Sequence, residues 1–252
     1  MHYQHNFETA SRNAYDGDAH GDSTITGKIA ALINSEGSAV HHHVRLLISL
    51  AADRTVQPNA PLADAAHYLC LMHGHFPGIM DHAANHCADN VARRWLIEAC
   101  EGFARERAYI ARLSVELGPV PSTRGHAGSD SIVLQLRHAL DMLAQSDRHG
   151  CAIGAAVTLA LDWRGVRRLM DHAAIRIGLD PIKCILPDDE DSRKVLRGIA
   201  GDEASERAII FGARQLLRQH HSLWDLLDDR ALARSAETAR LSGKISGGSH
   251  SA

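Results

Sequence analysis

The stretch HGHFPGIMDHAANH, residues 73 to 86, carries four histidines and an aspartate. Imidazoles can ligate a metal, move a proton or hydrogen-bond inside a core, and their spacing separates these uses. On a helix turning about 100° per residue, His75, His82 and His86 point in nearly one direction. His82 and His86 also form an HxxxH pair, which lets two rings reach one ion. The internal Glu of a zinc-protease HExxH is missing, so no metal-assisted general base follows from this motif. MDHAA recurs at Met170–Ala174, and an ungapped alignment of 61–87 with 151–177 also matches Ala65, Ala66, Leu69 and Leu71. An internal repeat is the working expectation. It equates His82 with His172, while His75 and His86 meet Gly165 and Arg176.

A second group of candidates precedes these. Glu36 and His43 lie seven residues apart and share a helical face with Val40 and Leu47. A carboxylate turned into a core needs a partner or a cation. Of His41, His42 and His43, one can face inward in a continuous helix, and His43 is expected to be that one. Glu98 and Glu101 on a later helix, with His138 and Asp141, add acids and imidazoles to facing helices. Glu36, His43, His75, His82, His86 and His172 are therefore the candidate metal ligands, a donor set suited to iron or manganese inside a bundle. The competing reading is packing, because histidine is of intermediate burial and a buried ring finds a hydrogen-bond partner in any core. For His82 and His172 the packing role is favoured. Asp81 and Asp171 sit one residue step off the histidine stripe, and Arg167 with Asp171 reads as an i, i+4 surface ion pair.

The elements that must position these residues read as helices. Residues 1–22 are polar and aperiodic, an arm. From Ser23, Ile25, Ile29, Ile33, Val40, Val44, Leu47 and Ala51 recur at helical spacing. A loop follows at 54–61, then a helix from Leu62 that Pro77 and Gly78 should kink or restart. Asn90 to Leu117 is a third helix, with Val91, Trp95, Ala99, Phe103, Ile110 and Leu113 as its inner stripe. GPVPSTRGHAGS, 118–129, is a linker. Beyond it come helices from Ile132, from Cys151 to about Ile177, and from Glu203 to Arg230, with a flexible tail over 231–252. The expected fold is an all-α single-domain bundle of six or seven main helices. Two duplicated three-helix units, 23–117 and 130–230, would pack about a pseudo-twofold axis.

Composition excludes several classes. A net charge of -3 and a pI near 6.6 do not provide the basic stripe of a nucleic-acid binder. No apolar run is long enough for a membrane span and no signal-like start is visible, so a cytoplasmic location is the default. Five cysteines without CxxC spacing read as buried reduced thiols rather than a zinc finger. No Walker loop, GxGxxG or GxSxG elbow is present.

Glu36-x6-His43 on an early helix, a Glu on a later one and the duplicated three-helix layout resemble the haem-oxygenase-like superfamily. That group includes TenA-type thiaminases, haem oxygenases and dinuclear iron oxidases. The resemblance implies a helical bundle over most of 23–230. His221, Asp225 and Asp228 are the nearest match to the oxidases' later His-x3-Asp-x2-His pattern, with aspartate in the final place. Two functions follow as expectations. One is a non-haem iron or manganese oxidase-like enzyme acting on a small molecule. The other is a non-catalytic bundle binding a partner or small apolar ligand, as a monomeric pseudo-dimer or a homodimer.

Overall fold

The apolar stripes become helices in the computed structural model, which describes residues 24–53, 59–120 and 126–247. The expected arm over 1–22 lies outside the described residues, as do 54–58 and 121–125. Among the described residues there are nine α-helices, one 3-10 turn and no strand, so the chain is all-α. They run α1 (Ile25–Glu36), the 3-10 turn Ser38–Val40, α2 (His42–Ala52), α3 (Asn59–His73), α4 (Ile79–His86) and α5 (Asn90–Glu116). After these come α6 (His126–Ala144), α7 (Cys151–Arg176), α8 (Asp189–Ile199) and α9 (Glu203–Gly247).

α3 already starts at Asn59 and α6 at His126, inside the expected loop 54–61 and linker 118–129, and three larger differences each have a local reason. The first helix does not continue into α2. It stops before Gly37, whose backbone turns extended (φ -73, ψ 163). A Cβ there would meet Ile33 O and come within 2.7 Å of Asp162 Oδ1. The turn also frees the Ser38 N–H for a bond outside the helix. α8 lies between about Ile177 and Glu203, where no helix is expected. Its acids instead start a helix: the Asp188 side chain accepts from Asp191 N at 2.8 Å, and Asp189, Glu190 and Asp191 occupy the positive end of the dipole. Val195, Leu196 and Ile199 then bury one face. Finally, α9 continues to Gly247, so 231–247 is helix where a tail was expected. The restart at Pro77 and Gly78 is present, between α3 and α4. Val91, placed on the inner stripe of α5, is exposed, while Trp95, Ala99, Phe103, Ile110 and Leu113 are buried.

α7 is the centre of the bundle. It packs on α9, α2, α4, α5, α6 and α8, and most of its length is buried. Its closest neighbour is α9, and small residues make the approach tight. A Cβ on Gly154 would sit 2.7 Å from Ile209 Cα, and one on Gly212 would strike the Cys151 carbonyl. Across the bundle, Asp64 of α3 is buried and bound by Arg230 (Nη2–Oδ1 3.2 Å) and Arg234 of α9. The Arg230 guanidinium also lies 4.9 Å from the ring centre of Tyr68.

This packing makes a paired prediction. Gly212→Ala pushes a methyl into backbone that cannot yield cheaply and should destabilise by about 1–3 kcal/mol, the usual range for overpacking. Gly198→Ala in α8 enters open space and should stabilise by about 0.5–1 kcal/mol, through helix propensity alone. Urea melts of both variants check the pair, and equal shifts would refute the close α7–α9 crossing.

Candidate metal centre

The site is built outward from a buried carboxylate. Asp162 closes the apolar run of α7 and is almost inaccessible, so its charge must be met by hydrogen bonds. Ser38 donates twice, from its backbone N to Oδ1 (2.7 Å) and from Oγ to Oδ2 (2.6 Å). Trp224 Nε1 of α9 donates to the same Ser38 Oγ at 3.0 Å. His220 Nδ1 lies 2.7 Å from Asp162 Oδ2, and its Nε2 lies 3.0 Å from His73 Nε2 of α3. The bond network assigns the protons: Nδ1–H of His220 faces the carboxylate, and Nε2–H of His73 donates to His220. His73 is packed edge-on against Phe103 and Trp163. Burial, then the neighbouring His220, hold its pKa well below the ordinary histidine value, so the ring is neutral. Four elements are thus tied together: α3, the 3-10 turn, α7 and α9.

Two residues bound into this network lead to a second cluster. Three positions after Ser38 comes His41, and next to His220 comes His221. His41 is the N-cap of α2, its Nδ1 accepting from His43 N at 3.2 Å. Its Nε2 lies 3.2 Å from Asp225 Oδ1, and His221 Nε2 lies 3.8 Å from Asp225 Oδ2. One ligand atom from each of His41, His221 and Asp225 falls within 4.8 Å of the others. Among the described residues, no other group of three or more histidine, cysteine or acidic side chains meets that geometry. His41 is buried, while His221 and Asp225 are exposed, so the cluster opens to solvent on one side. One turn along α9, Asp228 receives His42 (2.8 Å) and His43 (2.9 Å). The hydrogen bond from His42 holds the Asp228 carboxyl below the usual range. Burial lowers the pKa of both His41 and His43 against the opposing effect of their aspartates.

The six ligand candidates are dispersed. His43 is buried and bound to Asp228 beside the cluster. His41 is buried as well, which the one-inward-face argument missed, because it stands in the cap and not in the helix. Glu36 is exposed at the end of α1, separated from His43 by the turn at Gly37. His75 bonds Asp141 at 2.9 Å, His82 and His172 are half-buried on α4 and α7, and His86 is exposed. Asp81, buried, accepts from Gly78 N and from Arg107, both at 2.9 Å, and so caps α4. Asp171 is more than half of a surface pair. Arg167 Nε reaches it at 2.7 Å, Tyr109 O–H donates to it at 2.9 Å, and the same guanidinium bonds buried Glu106 at 2.6 Å. Both MDHAA aspartates therefore bind an α5 residue. Glu98 and Glu101 are exposed, and the inward acid of α5 is Glu106, which also accepts from Trp163 Nε1 at 3.0 Å. The cysteines are free thiols, with Cys151 buried and Cys184 exposed.

Sequence reasoning missed Ser38, Glu106, Asp162 and His220. All but Ser38 had a legible signal. Glu106 stands between Phe103 and Ile110 on the inner stripe, Asp162 ends an apolar run, and His220 precedes Trp224 by one turn.

The neutral, buried His73 has a stability consequence with a definite sign. An unfolded chain binds a proton at this ring below about pH 6.5, whereas the folded chain does not. Its contribution is complete above that pH and is lost as pH falls below it. Urea midpoints measured from pH 8 to pH 5 should decline in the wild type and decline less steeply in His73→Phe. Parallel curves would refute the assignment.

The chain belongs to DUF6975, a family of unknown function, whose family model matches residues 33–235. That span takes in the whole Ser38–Asp162–His220 network and the His41, His221 and Asp225 cluster. No curated protein and no solved structure matches the chain.

Proposed function

We propose that this DUF6975 member is a metal-binding helical protein that takes a divalent transition-metal ion on His41, His221 and Asp225. The observation that carries the reading is the convergence of three ligand atoms from two elements within 4.8 Å, open on one side. Two imidazoles and one carboxylate with free positions form the donor set that suits iron(II), and manganese shares the preference for the carboxylate. When bound, such an ion would polarise a substrate oxygen or bind dioxygen, which is the chemistry of the oxidase-like reading. The early-helix histidines of α2 opposite His221-x3-Asp225-x2-Asp228 on α9 support that reading and the haem-oxygenase-like resemblance. Glu36 takes no part in it.

The chain's own residues prepare the ligands unequally. His41 is neutral at neutral pH because burial disfavours its charged form, so no charged imidazolium has to be discharged there. Its proton is nevertheless on Nε2, because Nδ1 accepts from His43 N. An ion held at Nε2 would require that proton on Nδ1 and the loss of the α2 cap bond, which would oppose binding by about 0.5–2 kcal/mol. Asp228, bound to His42 and His43, keeps α2 against α9 as this happens.

A second reading has its own support. His41–Asp225 and the two Asp228 bonds already join α2 to α9, so the histidines can serve as a clamp in a non-catalytic bundle. Metal content separates the two. Protein purified without chelator, or reconstituted with iron(II), manganese(II) or zinc(II), should carry near-stoichiometric ion. His221→Ala and Asp225→Asn, both exposed and compatible with folding, should lower affinity beyond the roughly 10–100-fold typical of losing a mere supporting hydrogen bond. Absence of metal after reconstitution, or unchanged affinity in both variants, would leave only the clamp.

A further inference from the structure

A cavity of about 460 Å³ lies between α7 and the chain that leads into α8. That size is within the range of small-molecule pockets, roughly 300–1,000 Å³. Its wall is apolar over Ala160, Trp163, Ile175 and Leu186, with Ile175 half exposed at the rim. Its charged groups are mostly spent on each other. Arg167 gives Nε to Asp171, Nη1 to Glu106 and Nη2 to the Ile182 carbonyl, which leaves a rigid, neutralised floor. Arg164 pairs with Asp189 at 2.6 Å, and Asp188 is occupied as the α8 cap. Arg168 remains, exposed and with no ion pair among the described residues. His172, one turn further along α7, shares the cavity with it.

Arg168 also borders a second cavity, of about 380 Å³, formed where α7 meets α2. This one is lined by Ala39, Arg45, Ile48, Ser49, Gly165 and Arg168, and holds no acid at all. Arg45, like Arg168, has no ion pair among the described residues. The 3-10 turn ahead of α2 can stand this close to α7 because position 165 is glycine: a Cβ there would lie 2.8 Å from Ala39 N. Arg168 is therefore flanked by Arg45 on one side and His172 on the other, beside an apolar chamber.

We propose that this is a ligand site for a small amphiphilic anion, with Arg168 holding a carboxylate or phosphate and the larger cavity holding an apolar body against Trp163. A guanidinium is the side chain that matches either head group with paired donors. Arg45 adds donors and positive potential, His172 adds a ring N–H donor, and the apolar wall sets the preference for a hydrocarbon or aryl chain over a bare anion. The site shares no residue with the proposed metal centre, so either can fail alone.

The test uses octanoate, octyl phosphate and octanol as probes, titrated by calorimetry and by tryptophan fluorescence in the presence of chelator. Chelator prevents the anions from reporting on metal. The expected result is that at least one anion binds at least ten-fold more tightly than octanol. Arg168→Gln should weaken that anion at least ten-fold, leave octanol unchanged and keep the helical circular dichroism of the wild type. Arg45→Gln should weaken it less. Whichever anion binds more tightly identifies the head group. No binding of either anion at millimolar concentration, equal affinity for octanol, or full affinity in Arg168→Gln would each overturn the proposal.

Discussion

One carboxylate organises this protein. Asp162 sits inside the most buried helix, where an uncompensated charge would cost several kcal/mol. The chain answers with the Ser38 N–H, the Ser38 hydroxyl and the His220 ring. Each answer imposes geometry. Presenting the Ser38 N–H requires α1 to stop at Gly37 and a short turn to intervene. That turn sets His41 in the cap of α2, with its imidazole free of the helical face. Presenting His220 fixes the rotation of α9 about its axis, and His221 and Asp225 follow from that rotation. The surface cluster is thus positioned by a charge that it never touches.

Much of the architecture was legible in periodicity, because the stripes of α3, α5 and α7 are long and their breaks fall at Pro or Gly. α8 escaped notice because its first turn is acidic and the apolar part is short. Both MDHAA aspartates bind residues of α5, Asp81 to Arg107 and Asp171 to Tyr109, but the segments around them differ. GHFPG interrupts one copy, and the other runs unbroken through Gly165. The candidate site was read less well, for a physical reason. Helical spacing relates residues on one element, whereas the cluster joins a cap to a distant helix. His221 and Asp225 were noticed through a family pattern and His43 through its face. Nothing local to HHH says that the first of the three leaves the helix. Density of histidine along the chain, highest over 67–86, did not mark the place where ligand atoms converge.

The buried polar groups also divide the labour of the bundle. Asp162 with His220 and His73 serves the α9 side of α7. Glu106 with Arg167, Asp171 and Tyr109 serves the α5 side and forms the floor of the larger cavity. Trp163 stands between them, touching His73 with its ring edge and Glu106 through its indole N–H. Both networks are satisfied by named partners, which is why a helix crowded with small apolar residues can also hold an aspartate and an arginine.

The depth of α7 has a dynamic counterpart. Amide protons exchange with solvent only when their hydrogen bonds open, and the opening that releases them is local at an edge and global at a centre. α7 has packed neighbours on nearly every side, so its amides from Ile153 to Ala174 should exchange only in whole-molecule unfolding. α9 beyond Arg234, exposed from Ser235 through Arg240, should open on its own. Between these extremes lie His221 and Asp225, on the stretch of α9 braced by Trp224 and Leu227 against the core. Their backbone therefore belongs to the slow, rigid part of the molecule although their side chains face water. An ion taken up at the proposed site would meet a main chain already ordered on the α9 side, so little backbone ordering there would oppose it.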